Sequence, residues 1–382
     1  MTRRDKGALP VAMLVKGALP VAMLVKGALL VAMLATMSHC ARQGPGESPG
    51  EGAVMVDAGW RELSDVVTGE MAVRDPEGRV MLQVAQIATV YLADGHTREA
   101  REKVLAVCEG YFARWGQHLR WARNPDTDQF EPFGAGKGSN PRSWAPVDDE
   151  ESTMDLAYSG AAYEKGAGAY MLSALCQEYR PRLTLSPLKL ALPLIADEEA
   201  WGVLPEVLLE VCRALKPVSG YGGIGAVDSP FFMESYQYGS IVYHWAQRFP
   251  GMEVEYTFSH ANWMTDGREG KKDGIKGVNW LTVVGDRYLA ELGGAEEVAA
   301  AVEALDARFV VHRYEGGMMI QAGPRPQLGD ARQGVWPELY VKLAKLLKPI
   351  RIVHTNPFHR GGPAILFTKE ESEAWLRRFD DR

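Results

Sequence analysis

The sequence predicts an α+β fold, a single compact domain with a mostly antiparallel sheet flanked by helices. Strand-like and helix-like segments are mixed along the chain, without the steady strand–helix–strand order that indicates a parallel sheet. Arg308–Tyr314 and Met318–Gly323 flank a Gly-rich turn, which is typical of an antiparallel hairpin. No linker interrupts residues 60–382, so we expect one domain there.

The first half of this domain contains one clear strand and one clear helix. Val80–Leu92 is rich in β-branched residues and lies between glycines, which favours a strand. Thr97–Leu119 has apolar residues at helical spacing, with Thr97 as the expected N-cap. Asn124–Glu151 is predicted to be a long polar loop. The other strands expected here are Leu119–Arg123, Leu156–Ala162 and Ala169–Leu175, followed by Leu183–Ile195, which mixes strand character with two prolines.

The second half alternates helices and short strands. Acidic residues open a helix predicted near Glu199–Leu215, where they suit the helix dipole. Val218–Val227 and Gly274–Val284 are predicted strands, and Pro230–Phe249 has a helical apolar face. The remaining predicted helices are Asp286–Leu292, Ala295–Leu305, Trp336–Leu347 and Lys369–Phe379, the last with a capping box formed by Thr368 and Glu371.

Charge and cysteine content exclude some function classes. The net charge is -7, and without the first 40 residues the count is 37 basic against 48 acidic residues. An acidic body lacks the basic footprint of a nucleic-acid-binding protein, so we expect no nucleic acid partner. Four cysteines are too few for a disulfide scaffold, and Cys108 and Cys212 are predicted to be buried free thiols.

The amino terminus resembles a bacterial lipoprotein signal. Three near-copies of KGALPVAMLV fill residues 6–35, and from Lys26 a basic start precedes a short apolar run and then Cys40. Residues 1–40 are therefore predicted to be a signal segment with Cys40 lipidated, and residues 41–59 a Gly/Pro/Ser-rich tether. We expect a membrane-anchored lipoprotein of the bacterial envelope. The alternative is a mis-assigned start, with Met23 or a later residue first and a cytoplasmic protein.

Patterns that could carry catalysis fit poorly. Gly222-Gly223-Ile224-Gly225 lacks the spacing of a dinucleotide-binding loop, and Ser259-His260 lies in no nucleophile elbow. Glu253 and Glu255 alternate along a possible strand. Paired carboxylates can do acid–base work, but a solvated strand face is the commoner reason for this spacing. The histidines have no metal-ligand spacing. The expectation is therefore a protein that is not an enzyme, with no catalytic residue, metal or cofactor.

Six short motifs occur in order between Gly220 and Arg351: GYGGIG at 220–225, RFPG at 248–251, KGVNWLT at 276–282, ELGG at 291–294, GGMMIQAGPRPQLGD at 316–330 and LKPIR at 347–351. On these motifs the segment resembles the type VI immunity protein family, which is associated with VRR-NUC-type nuclease toxins. They span about a third of the chain. The resemblance implies a non-catalytic protein that binds and neutralises a cognate bacterial toxin, possibly a nuclease.

The resemblance also directs the choice of site residues. An acidic surface would speed association with a basic nuclease, so the loop Asp148, Asp149, Glu150 and Glu151 is the predicted toxin-binding site. The predicted scaffold signature is Gly222, Gly223, Gly277, Asn279, Trp280, Gly323, Gly329 and Asp330. The alternative function is a lipid-anchored envelope protein with a structural or ligand-binding role on the same scaffold.

Overall fold

The fold is α+β, as predicted, and is built around one antiparallel sheet of eleven strands among the described residues. The computed structural model describes residues 71–177, 185–194, 201–230, 238–264, 273–358 and 367–382, all within the compact unit Asp57–Arg382. The strands are β1 (Ala72–Arg74), β2 (Val80–Leu92), β3 (Trp121–Arg123), β4 (Phe130–Pro132), β5 (Met154–Ser159), β6 (Met171–Cys176), β7 (Ser186–Leu192), β8 (Ser219–Asp228), β9 (Leu281–Gly285), β10 (Phe309–Tyr314) and β11 (Gly317–Ala322).

Eight α-helices occur in the described ranges. They are α1 (Arg98–Trp115), α2 (Val203–Leu215), α3 (Gly239–Arg248), α4 (Thr257–Trp263), α5 (Asp286–Glu291), α6 (Ala295–Leu305), α7 (Glu338–Leu347) and α8 (Lys369–Leu376). Local signals place several of their ends. Thr97 caps α1 by accepting from the N–H of Ala100, and the predicted capping box of Thr368 and Glu371 begins α8.

The strand order is β10-β11-β9-β8-β2-β7-β6-β5-β3-β4, with β1 beside β2. The long strand β2 is central, and β7 and β8 pair with its two sides. Its even-numbered residues Leu82, Val84 and Ala88 belong to the main core, which includes buried residues of α1 and α2. Its odd-numbered residues Ala85 and Ile87 pack in a smaller cluster with Met171, Ala191 and Val227. The sheet therefore buries apolar residues on both faces.

One loop and one strand differ from the sequence-based expectation. The polar loop Asn124–Glu151 contains β4, because Phe130–Pro132 pairs with Trp121–Arg123. The predicted strand Gly274–Val284 narrows to Leu281–Gly285, since Ile275 instead forms an isolated parallel bridge with Arg351. The two predicted buried thiols are confirmed, because Cys108 and Cys212 are both free and buried.

Candidate functional site

The predicted toxin-binding residues lie together in one surface loop beside the amino end of α1. Asp148, Asp149, Glu150 and Glu151 are all exposed, and we call residues 148–151 the acidic loop. Glu150 accepts a hydrogen bond from the backbone N–H of Arg98 at 2.6 Å, at the first residue of α1. Carboxylates are stabilised at a helix amino terminus because the unpaired N–H groups there carry partial positive charge. Glu150 thus fixes the loop to the helix.

A buried arginine also holds the acidic loop, by hydrogen bonds from the protein interior. Arg101 has no exposed surface, although it lies on α1 and carries a charge. Its guanidinium donates to four backbone carbonyls at 2.5–3.1 Å, those of Pro146, Asp149, Glu150 and Ser152. Buried cations are stable only when hydrogen-bonded, so these carbonyls and Arg101 stabilise one another. The backbone of the acidic loop is therefore held by Arg101 in one conformation.

The four acidic side chains of the loop have different surroundings. Asp149 accepts from the Ser152 hydroxyl and from two backbone N–H groups, and the Ser152 hydrogen bond is the main cause that lowers the pKa of Asp149. Asp148 forms an exposed ion pair with Arg98 at 3.1 Å. The side chain of Glu151 is exposed and forms no ion pair with a residue of the described ranges. Two of the four carboxylates, Asp149 and Glu150, therefore organise the loop itself.

The structure places part of the scaffold signature at a second polar region, inside the protein. There, GYGGIG of β8 lies beside KGVNW, and Asn279 donates to a carboxylate oxygen of Glu253 at 2.8 Å. A Cβ at Gly223 would lie 2.1 Å from the Asn279 Oδ1, so only glycine leaves room for this amide. We call the following six side chains the buried polar cluster: Thr89, Lys189, Glu253, Glu255, Lys276 and Asn279.

Glu253 and Glu255 do not form the solvated strand face that their spacing indicates. They are only 3% and 7% exposed, so that interpretation was wrong. The ammonium group of Lys276 pairs with Glu253 and donates to the carbonyl oxygen of Val254 at 2.5 Å. Glu255 pairs with Lys189 at 3.4 Å. Burial is possible because each carboxylate meets a lysine that lies far away in sequence.

The charges of the buried polar cluster are compensated as well as buried. Burial lowers the pKa of Lys276, since it penalises the ammonium form, while Glu253 and Glu255 oppose that shift. Burial alone would raise the pKa of Glu255, but Lys189, Lys276 and hydrogen bonds bring it below its ordinary value. The Lys276 ammonium also lies 4.7 Å from the ring centroid of Tyr221. Both carboxylates and the lysine are therefore suited to a structural role.

The described residues line a small cavity and a larger groove. A cavity of about 10 Å³ lies against Ile275, Gly277 and Arg378, among other residues. This is about the room that one water molecule needs. A larger groove of about 230 Å³ lies between α1 and α2, lined by apolar side chains with Tyr111 and Trp115. Within the described ranges, no group of three or more His, Cys, Asp or Glu side chains could hold a metal ion.

The other signature residues join distant motifs. The indole N–H of Trp280 donates to the carbonyl of Gly323 at 2.9 Å, and Gly323 has a φ of +88° that favours glycine. Asp330 pairs with Arg248 of RFPG at 3.1 Å, and Gly329 beside it has a φ of +66°. Gly222 packs against Leu208 and Leu281. Most of the signature residues therefore lie at contacts between segments.

The LKPIR motif, residues 347–351, contacts the KGVNW segment and the end of the chain. Ile275 donates its N–H to the carbonyl of Ile350 at 2.8 Å, just before the KGVNW motif. Arg351 forms two hydrogen bonds of 2.6 and 2.8 Å with Asp380, and both side chains are 8% exposed. The chain beyond α8 is thereby attached to the same scaffold. Sequence motifs that are far apart along the chain thus share one interior.

Two sequence-based predictions lie beyond these observations. Cys40 falls outside the described residues, as do the tether 41–59 and the repeated segment. In the part of the chain that the structure describes, no helix is long and apolar enough to cross a membrane. Arg101, by contrast, is a site residue that the sequence pattern missed. A charged residue on an amphipathic helix usually faces solvent, and the sequence carries no local signal that this one is buried.

The family described as type VI immunity for VRR-NUC matches residues 103–379 of this chain, which is more than half of its length. The solved structure of the type VI secretion system protein PA0821 of Pseudomonas aeruginosa is similar, with a TM-score of 0.70 and 21% sequence identity. The match covers 84% of this chain and 91% of that one, and at this identity it shows a shared fold. No curated protein sequence matches. The family match and its position over the motifs show that the chain belongs to the family of type VI immunity proteins for VRR-NUC.

Proposed function

We propose that this chain binds a cognate VRR-NUC toxin and neutralises it without catalysing a reaction. The match to the immunity family over residues 103–379 is the observation that carries the proposal. The placement of the signature residues supports it, because they form interior contacts and leave the surface available for a partner. An inhibitor of this kind needs a stable scaffold and a complementary surface, and it needs no reaction centre.

The charge of the chain supports a nuclease as the partner. A nuclease must bind a polyanion, so its substrate surface is positively charged. The net charge of -7 on this chain favours attraction to such a surface and disfavours binding of nucleic acid by the chain itself. The acidic loop, Asp148–Glu151, stays a predicted contact of the toxin. Its backbone is held by Arg101, which would present these carboxylates with little loss of conformational entropy on binding.

The proposal is tested by co-expression with a VRR-NUC-domain protein of the same genome, and we expect the gene of the cognate one to lie beside that of this chain. We expect the chain to restore growth of cells that produce the active nuclease, and to co-purify with a nuclease-inactive form. A non-cognate VRR-NUC protein serves as the control, since specific immunity should not extend to it. Neither rescue nor a complex with the cognate protein would contradict the proposal.

For location, we propose an envelope lipoprotein anchored through Cys40. Support comes from the order of the basic start, the apolar run and Cys40, followed by a Gly/Pro/Ser-rich tether. The same order favours the second candidate function, a lipid-anchored protein with a structural or ligand-binding role. Membrane fractionation and labelling with a fatty acid analogue test the anchor, and Cys40→Ser should abolish both signals. A wholly soluble, unlabelled wild-type protein would favour the cytoplasmic alternative.

A further inference from the structure

The two edges of the sheet differ in how open they are to another strand. β4 at one edge has three residues, Phe130–Pro132, and its proline has no N–H to donate. β10 at the other edge has six residues, Phe309–Tyr314, without proline. In the described part of the chain, β11 is the only strand that pairs with β10. An edge of this length presents a row of backbone donors and acceptors to any partner strand.

The register shows which backbone groups of β10 point outward. Ala322 donates to Trp280 and Gly316 accepts from Asp286, so even-numbered residues of β11 bond toward β9. The odd-numbered residues of β11 therefore bond toward β10, where their partners are Val310, His312 and Tyr314. It follows that the N–H and C=O groups of Val311 and Arg313 face away from the sheet.

Helices α2 and α6 contact β10 on opposite faces, at Tyr314 and Arg313, and leave part of the strand exposed. Tyr314 lies beside Cys212 of α2 on one face. Arg313 forms an ion pair with Glu296 of α6 on the other face. Val310, on the same face as Tyr314, is 46% exposed although it is apolar. An open edge strand with an exposed apolar side chain can take up a partner strand.

The helix beside this edge is strongly acidic. Helix α6, Ala295–Leu305, contains three acidic residues and no basic residue. Glu296 is the main cause that raises the pKa of Arg313, and Glu303 contributes to the same shift, so two carboxylates surround one guanidinium. Glu297 and Glu303 are exposed and form no ion pair in the described ranges. The acidic loop differs from this helix, because Arg98 and Arg101 of the same chain already contact the loop.

We propose that the outer edge of β10 is the docking site for the cognate toxin, which adds an extended segment to it with a basic side chain against Glu303. This inference rests on the proposed function. The open backbone of Val311 and Arg313 supplies the hydrogen bonds of strand addition, and Val310 supplies apolar contact. The carboxylates of α6 select a positively charged partner and discourage a second acidic copy of this chain.

The test uses Val311→Pro. Proline at this position removes an outward N–H and blocks the edge, while the ladder to β11 keeps its bonds. The probe is a purified, nuclease-inactive form of the VRR-NUC-domain protein that the co-expression experiment identifies as cognate. We expect at least ~30-fold weaker binding, because two or more backbone hydrogen bonds of about 1 kcal/mol each are lost. A thermal melt checks that the variant is folded.

Amide hydrogen exchange of the wild-type chain gives an answer even if the variant does not fold. We expect the outward amides of Val311 and Arg313 to become protected when the toxin is added. Wild-type binding without this protection, or full binding by folded Val311→Pro, would overturn the inference and leave the proposed function standing. Failure of the wild-type chain to bind would overturn both. A dimer of the chain alone with these two amides already protected would also overturn the inference, because a second copy would then occupy the edge.

A charge-reversal pair tests the acidic rim separately. Glu303→Lys on α6 should slow association by about 10-fold at low salt, since steering depends on charges near the contact. Glu206→Lys on α2 is the matched control, because it makes the same charge change at another exposed helical position. Equal slowing by both variants would indicate a general charge effect and overturn the role of the rim.

Discussion

Two carboxylate-bearing regions of the molecule, the buried polar cluster and the acidic loop, differ in how much water reaches them. In the cluster, Glu253 and Glu255 are almost fully buried, and each is paired with a lysine. In the loop, the carboxylates are exposed. A buried charge without its partner is strongly destabilising, whereas an exposed charge loses little. The comparison indicates that the paired charges of the cluster govern stability, and that the exposed carboxylates of the loop are available for recognition.

The largest expected effect comes from removing one charge of the buried polar cluster. Lys276→Met keeps a similar volume but leaves Glu253 without its ion pair, so we expect a loss of ~3–5 kcal/mol in the free energy of unfolding. Urea unfolding measures this loss. The double variant Lys276→Met, Glu253→Gln removes both charges and should recover part of the stability. A loss below about 1 kcal/mol in the single variant would show that this pair is not structural.

Arg101 combines features of the two regions, because it is a buried charge that holds the surface loop by hydrogen bonds. Arg101→Met leaves four carbonyls without their donor, and we expect a loss of ~2–3 kcal/mol. Residues 146–152 should also exchange their amide hydrogens faster, since the loop loses its anchor. Arg114→Met, at an exposed ion pair of the same helix, is the control and should change stability by less than about 1 kcal/mol. An unchanged loop would contradict the positioning role of Arg101.

Gly223 tests the close approach of β8 to the cluster. In Gly223→Ala, the added methyl group would meet the Asn279 amide, and we expect a loss of ~1–3 kcal/mol. Gly110→Ala is a matched control, because a methyl group added to that helical glycine would have no heavy atom within 4 Å. It should stabilise α1 by up to about 1 kcal/mol. Similar effects of both substitutions in chemical denaturation would show that the contact at Gly223 is not tight.

Local patterns predicted most elements of the fold, because their signals lie within a few residues. Val80–Leu92 has the predicted bounds, as has α6 at Ala295–Leu305, and the capping box of α8 is present. Alternation and helical spacing report which face of a segment is apolar, and this is decided locally. The scaffold signature could also be named from sequence, since glycine and proline indicate special backbone shape.

Contacts between distant segments could not be predicted in the same way. The spacing of Glu253 and Glu255 is that of a solvated strand, and their burial depends on Lys276 and Lys189, which come from other elements. Arg101 is a similar case, because its acceptors lie 45–51 residues further along the chain. The open edge at β10 is a property of strand order, which a single segment does not encode.

Acid titration is a milder way to perturb the buried polar cluster. The pKa of Glu255 lies below its ordinary value of 4.5, so its carboxylate contributes stability above that value. This contribution is lost as pH falls from the ordinary value through the lower, folded-state pKa. We therefore expect unfolding free energy to decrease with falling pH below about 4.5. Glu255→Gln should lack this part of the pH dependence, and identical slopes for both proteins would contradict the shift.

The smallest expected change in stability is at the acidic loop. Asp148→Asn with Glu151→Gln should alter the free energy of unfolding by less than ~0.5 kcal/mol, because both side chains are exposed. Binding of the toxin should weaken, with association about two- to threefold slower at low salt, since the loop is a predicted contact and its exposed charges also steer the partner. Glu150→Gln is the contrasting variant and should cost ~0.5–1 kcal/mol of stability, because Glu150 contacts the amino terminus of α1. Surface plasmon resonance measures both rates, and association and dissociation that are both unchanged in the double variant would contradict the loop as a contact of the toxin.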